Sequence, residues 1–512
     1  MPNFYFPTLT RAIFLFAAIF LAFYFRLGSI PLFDVDEGAF AEATREMIVS
    51  GDYLHPKLNG EPRYDKPILI YWLQAASVHV FGLNEWSMRF PSALFASIWV
   101  LATFFMARFW FGRDVAFWAA FLQATSLIVV GIGHAATADA VLNAFLALSM
   151  FSFFVYTEKR RQYLLYLAFA MIGAGFMTKG PIAVLIPLVV SFLYLVVIQK
   201  EWRFWLKSVC NPWGILIFAV IGLPWYIYMI HADGMDFVQG FFLRHNIARF
   251  VGPLQGHGGS LWYYIPVVLL GVLPHTALAL WVLRNPLFLD RDRFSHYALL
   301  WFFFVFFFFS FSGTKLPHYM LYGMSGYWIL MAKILEDGPR KAFLLLFPLL
   351  FLVVLAVLPL GIEMAMPQIS HVKTRWVLQD ALQLVPHHYA LAMMAALLTL
   401  LLSFFFFKEA IVFASGMALL LIANIYVMPW VSGFLQAPVK EAALWVKKQE
   451  VPVVAYKINQ PSFSFYAEKI IEKREPKPLE MALAKRGTVF PFKVEVLYEK
   501  GPIVLVRRLP EP

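Results

Sequence analysis

A single cysteine, Cys210, leaves this 512-residue chain no partner for an intramolecular disulfide and says nothing about redox compartment. Charge is the second scarcity: only 14% of residues are Asp, Glu, Lys or Arg, against about 25% in ordinary soluble domains. Neither a Walker-type nor a Rossmann-type glycine loop occurs, which argues against a nucleotide donor. Internal repeats of fixed period are also missing, and many secondary transporters are built from them. What fills the chain instead is hydrocarbon-compatible sequence. Hydrophobic residues make up 61% of it, gathered in many runs near the length that crosses a bilayer as a helix. A β-barrel would show short alternating strands. The net charge of +11 would suit nucleic acid, but the Lys and Arg residues sit in short loops between apolar runs. That placement follows the positive-inside rule and excludes a nucleic-acid partner.

The expected fold is an all-α polytopic membrane protein of about thirteen spans, at 8–25, 91–108, 115–133, 140–156, 163–177, 181–198, 213–230, 261–283, 297–311, 319–335, 342–360, 389–407 and 411–428. No small-residue cleavage site follows the first run, so it reads as an uncleaved helix. The run 67–81 is shorter and holds Gln74, Ser77 and His79, so it reads as interfacial. Arg108, Arg113, Lys159, Arg160, Arg161, Lys200, Arg203, Lys207, Lys341 and Lys408 fall on one side, which is therefore cytoplasmic. The first loop (30–90), the loop 231–260 and the tail from Trp430 then face the periplasm. Residues 1–428 form the membrane domain, and 429–512 a small periplasmic α/β domain. That tail is expected to hold a helix at 439–450 and strands at 453–456, 494–498 and 503–506.

Chemistry concentrates in residues 32–74, LFDVDEGAFAEATREMIVSGDYLHPKLNGEPRYDKPILIYWLQ. Asp34, Asp36 and Glu37 put carboxylates at the membrane surface, where one can serve as general base; the plainer alternative is that Asp36 caps a helix through Met47. Arg63, Asp65 and Lys66 stand where the chain re-enters the interface, a position suited to a lipid phosphate or to simple headgroup snorkelling. Lys179 and Lys315 interrupt apolar runs on the side where cations are scarce. His245 and Arg249, four apart, share a helix face in FFLRHNIARF. Asp65 with His245 would be an incomplete ligand set for a divalent ion, a secondary reading. His134 and Asp139 bracket a turn, and His318 and Tyr319 follow Lys315; ionisable groups at a membrane edge are candidates by default.

The segments DVDEGAFAEATREM, YDKPILIYWLQ, MTKGP, FFLRHNIARF and GTKLPHYMLY, in that order, resemble the polytopic GT-C glycosyltransferases. Among these, the chain is most similar to bacterial aminoarabinose–lipid A transferases and dolichyl-phosphate-mannose–protein mannosyltransferases. The resemblance implies a sugar donor on a polyprenyl phosphate, no nucleotide, and transfer with inversion at the periplasmic face of the bacterial inner membrane. The acceptor would be lipid A, lipopolysaccharide or another glycan. Asp36 matches the family's first-loop aspartate, Asp65-Lys66 its acidic–lysine pair, and His245 the histidine of the later outer loop. One departure stands out: aminoarabinose transferases tend to carry Arg-Tyr where this chain has Ala39-Phe40.

Asp36 and Glu37 are accordingly expected to be catalytic. Arg63, Lys66, Arg249, Lys179 and Lys315 are expected on the donor phosphate, and Asp34, His134, Asp139, His318 and Tyr319 elsewhere in the site. Rival readings are a protein O-mannosyltransferase-like enzyme, a lipid or sugar transporter without chemistry, and a scaffold. A transporter would place its ionisable residues near the bilayer midplane.

Overall fold

The computed structural model describes residues 8–252, 256, 258–284, 292–335 and 338–510. Helices dominate, because backbone groups in hydrocarbon must satisfy one another within a segment. Among the described residues, five helices are long and apolar enough to cross a membrane: Glu85–Phe111, Asp139–Lys159, Arg293–Phe311, Lys341–Gln368 and Lys408–Leu435. Two bent pairs raise the number to seven if each is one span. About thirteen spans were expected; some of the others are broken, and Thr8–Phe23, Ile182–Ile198 and Tyr389–Ser403 are apolar helices of 10–17 residues. The run 115–133 bends by 64° between Arg113–Ala124 and Leu127–His134. There Thr125 and Ser126 turn their hydroxyls back onto the Phe121 and Leu122 carbonyls, and Leu127 N donates to Leu273 O at 2.9 Å. The run 213–230 breaks before Pro224 and the run 261–283 around Pro274, since proline cannot continue the backbone ladder.

Helix Asp139–Lys159 is central, packed between Glu85–Phe111 and Gln162–Lys179. Its buried residues alternate small and large, with Ala140, Ala144 and Ala147 letting neighbours approach and Phe151 and Phe154 filling the gaps. The run 67–81 forms the short helix Leu69–Phe81, which lies against helix Asp36–Ser50.

The tail folds as expected at helix Ala437–Lys447 and at strands Val453–Ala455, Val494–Lys500 and Ile503–Arg508. A fourth strand, Met481–Lys485, and a helix, Pro461–Ala467, were not legible in the sequence. The sheet order is Val453–Ala455, Met481–Lys485, Ile503–Arg508, Val494–Lys500, with the first pair parallel and the others antiparallel. Parallel pairing needs a crossover, which Pro461–Ala467 supplies. One sheet face packs on both tail helices through Val439, Phe463, Leu483 and Leu505. The same buried cluster includes Leu32, Ala41, Met88 and Ala136, so the tail shares its core with the first loop.

Candidate active site

Helix Asp36–Ser50 starts at Asp36 and stops at Gly51, whose φ of 72° is the left-handed conformation glycine adopts at little cost. The residue before it, Val35, makes no side-chain cap, and Asp36 makes no hydrogen bond or ion pair among the described residues. The capping alternative therefore fails: Asp36 is exposed on a cavity wall with its carboxylate free. Beyond the helix, Lys57–Leu58 and Glu61–Pro62 pair as a small hairpin over Asn59-Gly60, both at positive φ. Buried Glu46 fixes that turn by accepting from Asn59 N and from Gly60 N, the latter at 3.0 Å. The hairpin then delivers Arg63, Asp65 and Lys66 into the cavity.

The cavity has a volume of about 850 Å³. Asp36, Arg63, Asp65, Lys66, Asp139, Lys179, His245, Arg249, His318 and Tyr319 all line it, gathered from stretches far apart in the chain. Asp65 is its electrostatic centre. Lys66 Nζ lies 2.9 Å from Asp65 Oδ1, Arg63 3.2 Å from Oδ2, His245 Nδ1 3.2 Å and Arg249 3.4 Å from Oδ1. Burial works against the charge of Asp65, but Lys66, His245, Arg63 and Arg249 together hold its carboxyl well below the usual range. Burial also pushes Lys66 down to about 8, with Asp65 opposing and the charges of Arg249 and Lys179 adding to the fall. Arg63 is steered by Tyr71, whose hydroxyl accepts from its Nε at 2.9 Å, and it feels the charge of Asp36.

A second carboxylate knot sits beside the first. Lys179 donates to Asp139 and, at 2.6 Å, to the Tyr322 hydroxyl, which donates to Asp139 at 2.7 Å. His318 Nε2 lies 3.6 Å from the same Asp139 oxygen. Three fixed cations around Asp65 and one on Asp139 leave a local excess of positive charge. Arg249 Nε, buried, has no acceptor among the described residues. Such a group calls for an anion.

From this cluster an apolar groove of about 540 Å³ leads away, walled by Pro181, Ile182, Leu185, Phe242, Phe250 and Phe308. It shares Asp65, Lys66, Lys179, His245, Arg249 and Tyr319 with the polar cavity. The cations thus stand at the boundary between a wet chamber and a greasy one.

Four expected site residues lie elsewhere. Glu37 is a buried structural hub: Arg89 donates to both its oxygens at 2.8 Å, and Phe33 N and Ala136 N fill the rest at 2.8 and 2.7 Å. With every lone pair engaged it cannot take up a substrate proton. Asp34 accepts from Ser462 N at 2.8 Å and from the Ser462 hydroxyl, tying the first loop to the tail. Gly38 is required there, since a Cβ would collide with both Asp34 and Ser462. His134 is buried with Nε2 3.4 Å from the Phe25 carbonyl. Lys315 folds back onto its own loop and donates to the Ser312 carbonyl at 2.5 Å. The structure brings together the two residues expected to share a divalent ion, with His245 Nδ1 3.2 Å from Asp65 Oδ1. Asp65 and His245 face each other amid three cations, and no trio of His, Cys, Asp or Glu suited to a metal exists among the described residues.

Sequence reasoning missed Tyr322, although it follows Tyr319 at the three-residue spacing of one helix face. It also missed the tail's contribution of Asn459, Glu472, Lys473 and Arg474 to the cavity wall.

Residues 65–228 match the family described as dolichyl-phosphate-mannose-protein mannosyltransferase. An undecaprenyl phosphate-alpha-4-amino-4-deoxy-L-arabinose arabinosyl transferase of Proteus mirabilis is 34% identical over 63% of this chain and 58% of its own length. That of Aeromonas hydrophila is 35% identical over 66% of this chain and 64% of its own. The match therefore spans under two thirds of the length of these relatives. Among solved structures, ArnT from Cupriavidus metallidurans bound to undecaprenyl phosphate superposes with a TM-score of 0.80 at 20% identity, over 98% of each chain. The chain has the fold of ArnT and resembles the GT-C glycosyltransferases of the aminoarabinose-transferase and protein-mannosyltransferase kinds.

Proposed function

We propose that this protein is a membrane glycosyltransferase that takes a sugar from a polyprenyl-phosphate carrier and passes it, with inversion, to a hydroxyl or phosphate oxygen of a glycan or lipid A-like acceptor. One observation carries the reading: Arg63, Lys66 and Arg249 converge on Asp65 where a polar chamber meets an apolar groove. A polyprenyl phosphate has the same two halves. Its phosphate would sit among the cations and its isoprenoid chain along Phe242, Phe250 and Phe308.

In the transfer, the acceptor oxygen attacks the anomeric carbon, the bond from that carbon to the phosphate oxygen breaks, and polyprenyl phosphate leaves. Negative charge grows on the departing phosphate, so fixed cations stabilise the transition state more than the ground state. Asp36, exposed and unpaired, receives the acceptor proton or orients its oxygen. Lys179, held by Asp139 and Tyr322, adds a further cation at the same boundary. The basic loops lie at the other end of the bundle, which supports a periplasmic site in a bacterial inner membrane. No step requires a nucleotide or a metal.

The relatives' names make undecaprenyl phosphate-linked aminoarabinose the first donor to try. Purified protein is incubated with that donor and other polyprenyl-phosphate sugars, each with a lipid A acceptor, and release of polyprenyl phosphate is followed. Acceptor-dependent release from at least one donor is the expected result. No release above the protein-free rate from any of them would sink the proposal.

A further inference from the structure

Helix Thr8–Phe23 runs antiparallel to Glu85–Phe111: Tyr24 bonds Ser97 at 3.1 Å at one end, and at the other Arg11 pairs with Asp114, just beyond Phe111 at the start of helix Arg113–Ala124. Between the two helices lies a groove of about 1040 Å³ that belongs to neither chamber of the candidate active site. Its walls are hydrocarbon, including Leu15, Phe16, Ile19, Leu101 and Phe105. Its far end is not. Arg11, Arg108 and Arg113 all line it, and Asp114 beside them is the partner of Arg11. Arg108 and Arg113 are exposed and make no ion pair among the described residues.

The position of this basic end matters. Trp86 to Arg108 is roughly 33 Å along the helix at 1.5 Å per residue, about the thickness of a hydrocarbon core. The helix end at Glu85 touches the tail through Lys440 and Tyr466, and the tail also lines the catalytic cavity, so the arginines lie at the opposite membrane surface. An apolar slot open to the bilayer, ending in unpaired cations at headgroup depth, matches an amphiphile with a single phosphate head. Basic pockets between membrane helices on the cytoplasmic side bind anionic lipid head groups.

We propose that this groove is a binding site for an anionic glycerophospholipid of the leaflet opposite the catalytic cavity, its acyl chain along Phe16 and Phe105 and its phosphate between Arg108 and Arg113. The site is independent of the glycosyltransferase reading, since none of its residues lines the catalytic cavity.

The full chain, purified in neutral detergent, is titrated with dioleoylphosphatidylglycerol or dioleoylphosphatidylcholine, and bound lipid is counted by native mass spectrometry. Two cations near the headgroup predict about 10- to 30-fold tighter retention of phosphatidylglycerol. Arg108→Gln with Arg113→Gln should abolish that preference at an unchanged melting temperature. In the unaltered chain, phosphatidylglycerol with a photoactivatable acyl chain should crosslink within residues 8–24 and 97–117. Equal retention of the two lipids, a preference that survives in the double variant, or crosslinks confined to other helices would each overturn the site.

Discussion

Arg249 reaches across 184 residues of sequence to set its guanidinium 3.4 Å from Asp65 Oδ1, on the same oxygen that Lys66 contacts at 2.9 Å. Two cations on one carboxylate oxygen are poised to act on one ligand. Replacing either by Met keeps much of the apolar stem and deletes the charge. A desolvated charge-assisted contact is worth about 1.5–3 kcal/mol, so each single variant should lose about 10- to 150-fold in kcat/KM. The double variant should lose less than the product of the two if, as proposed, both serve one phosphate. Near-parent rates in both singles would mean the pair only touches lipid headgroups.

The lowered pKa of Lys66 gives the site a pH signature. Burial brings it from 10.5 to about 8, so the charge is present below about 8 and lost above. Affinity for a polyprenyl-phosphate donor should be flat well below pH 8 and fall as pH rises through it. For the unliganded fold the sign is opposite. Between about 8 and 10.5 the unfolded chain holds a proton that folded Lys66 has released, so this group's contribution to stability rises with pH over that window. Lys66→Arg, which stays charged, should erase the alkaline loss of affinity. Donor KM measured against pH in both proteins checks this; an identical fall in Lys66→Arg would assign the titration to another group.

Adjacent carboxylates should respond to amidation in opposite ways. Asp36→Asn alters an exposed, unpaired side chain, so stability should hold within about 0.5 kcal/mol while turnover drops about 10²-fold. Glu37→Gln breaks a buried pair and strands Arg89, costing about 3–5 kcal/mol of stability, with turnover of the surviving folded protein near parent. Melting curves and specific activity on the same preparations separate the two, and a reversed pattern would exchange the roles assigned here.

The tail's grip on the first loop is also open to test. Ser462 satisfies both oxygens of Asp34, a carboxyl that burial raises to about 7, and Tyr466 accepts from Leu32 N at 2.7 Å. Ser462→Ala strips one donor from a half-buried acceptor, a loss of about 1 kcal/mol. Amide exchange at residues 30–36 should quicken, and kcat should fall more than KM rises, because Asp36 is only two residues along. Unchanged exchange there would show that the tail covers the loop without positioning it.

Much of this was legible in the sequence, and the failures have physical causes. Cations set against the loop bias, such as Lys179, announced themselves because a lone positive charge at a membrane edge needs a reason. Asp36 and Glu37 could not be told apart, since the buried pairing that makes the second one structural is with Arg89, 52 residues away. The bend at Thr125-Ser126 carries no glycine or proline; it arises from hydroxyl back-bonding and from His275 Nε2 at 2.7 Å from Thr125 Oγ1, a tertiary contact. The breaks at Pro224 and Pro274 were visible in principle. Strand Met481–Lys485, MALAK, consists of residues with strong helix propensity, and pairing on both sides overrides it.

The bond between Asp34 and Ser462 has a consequence for how the protein is made. The two residues are 428 apart, and synthesis at about 5–20 residues per second puts roughly 20 to 90 s between their emergence. Throughout that interval the charged first loop exists without the strap that will hold it. Its own devices, the Glu37–Arg89 pair and the Glu46-bound turn, must keep the newborn loop in order until the last segment arrives.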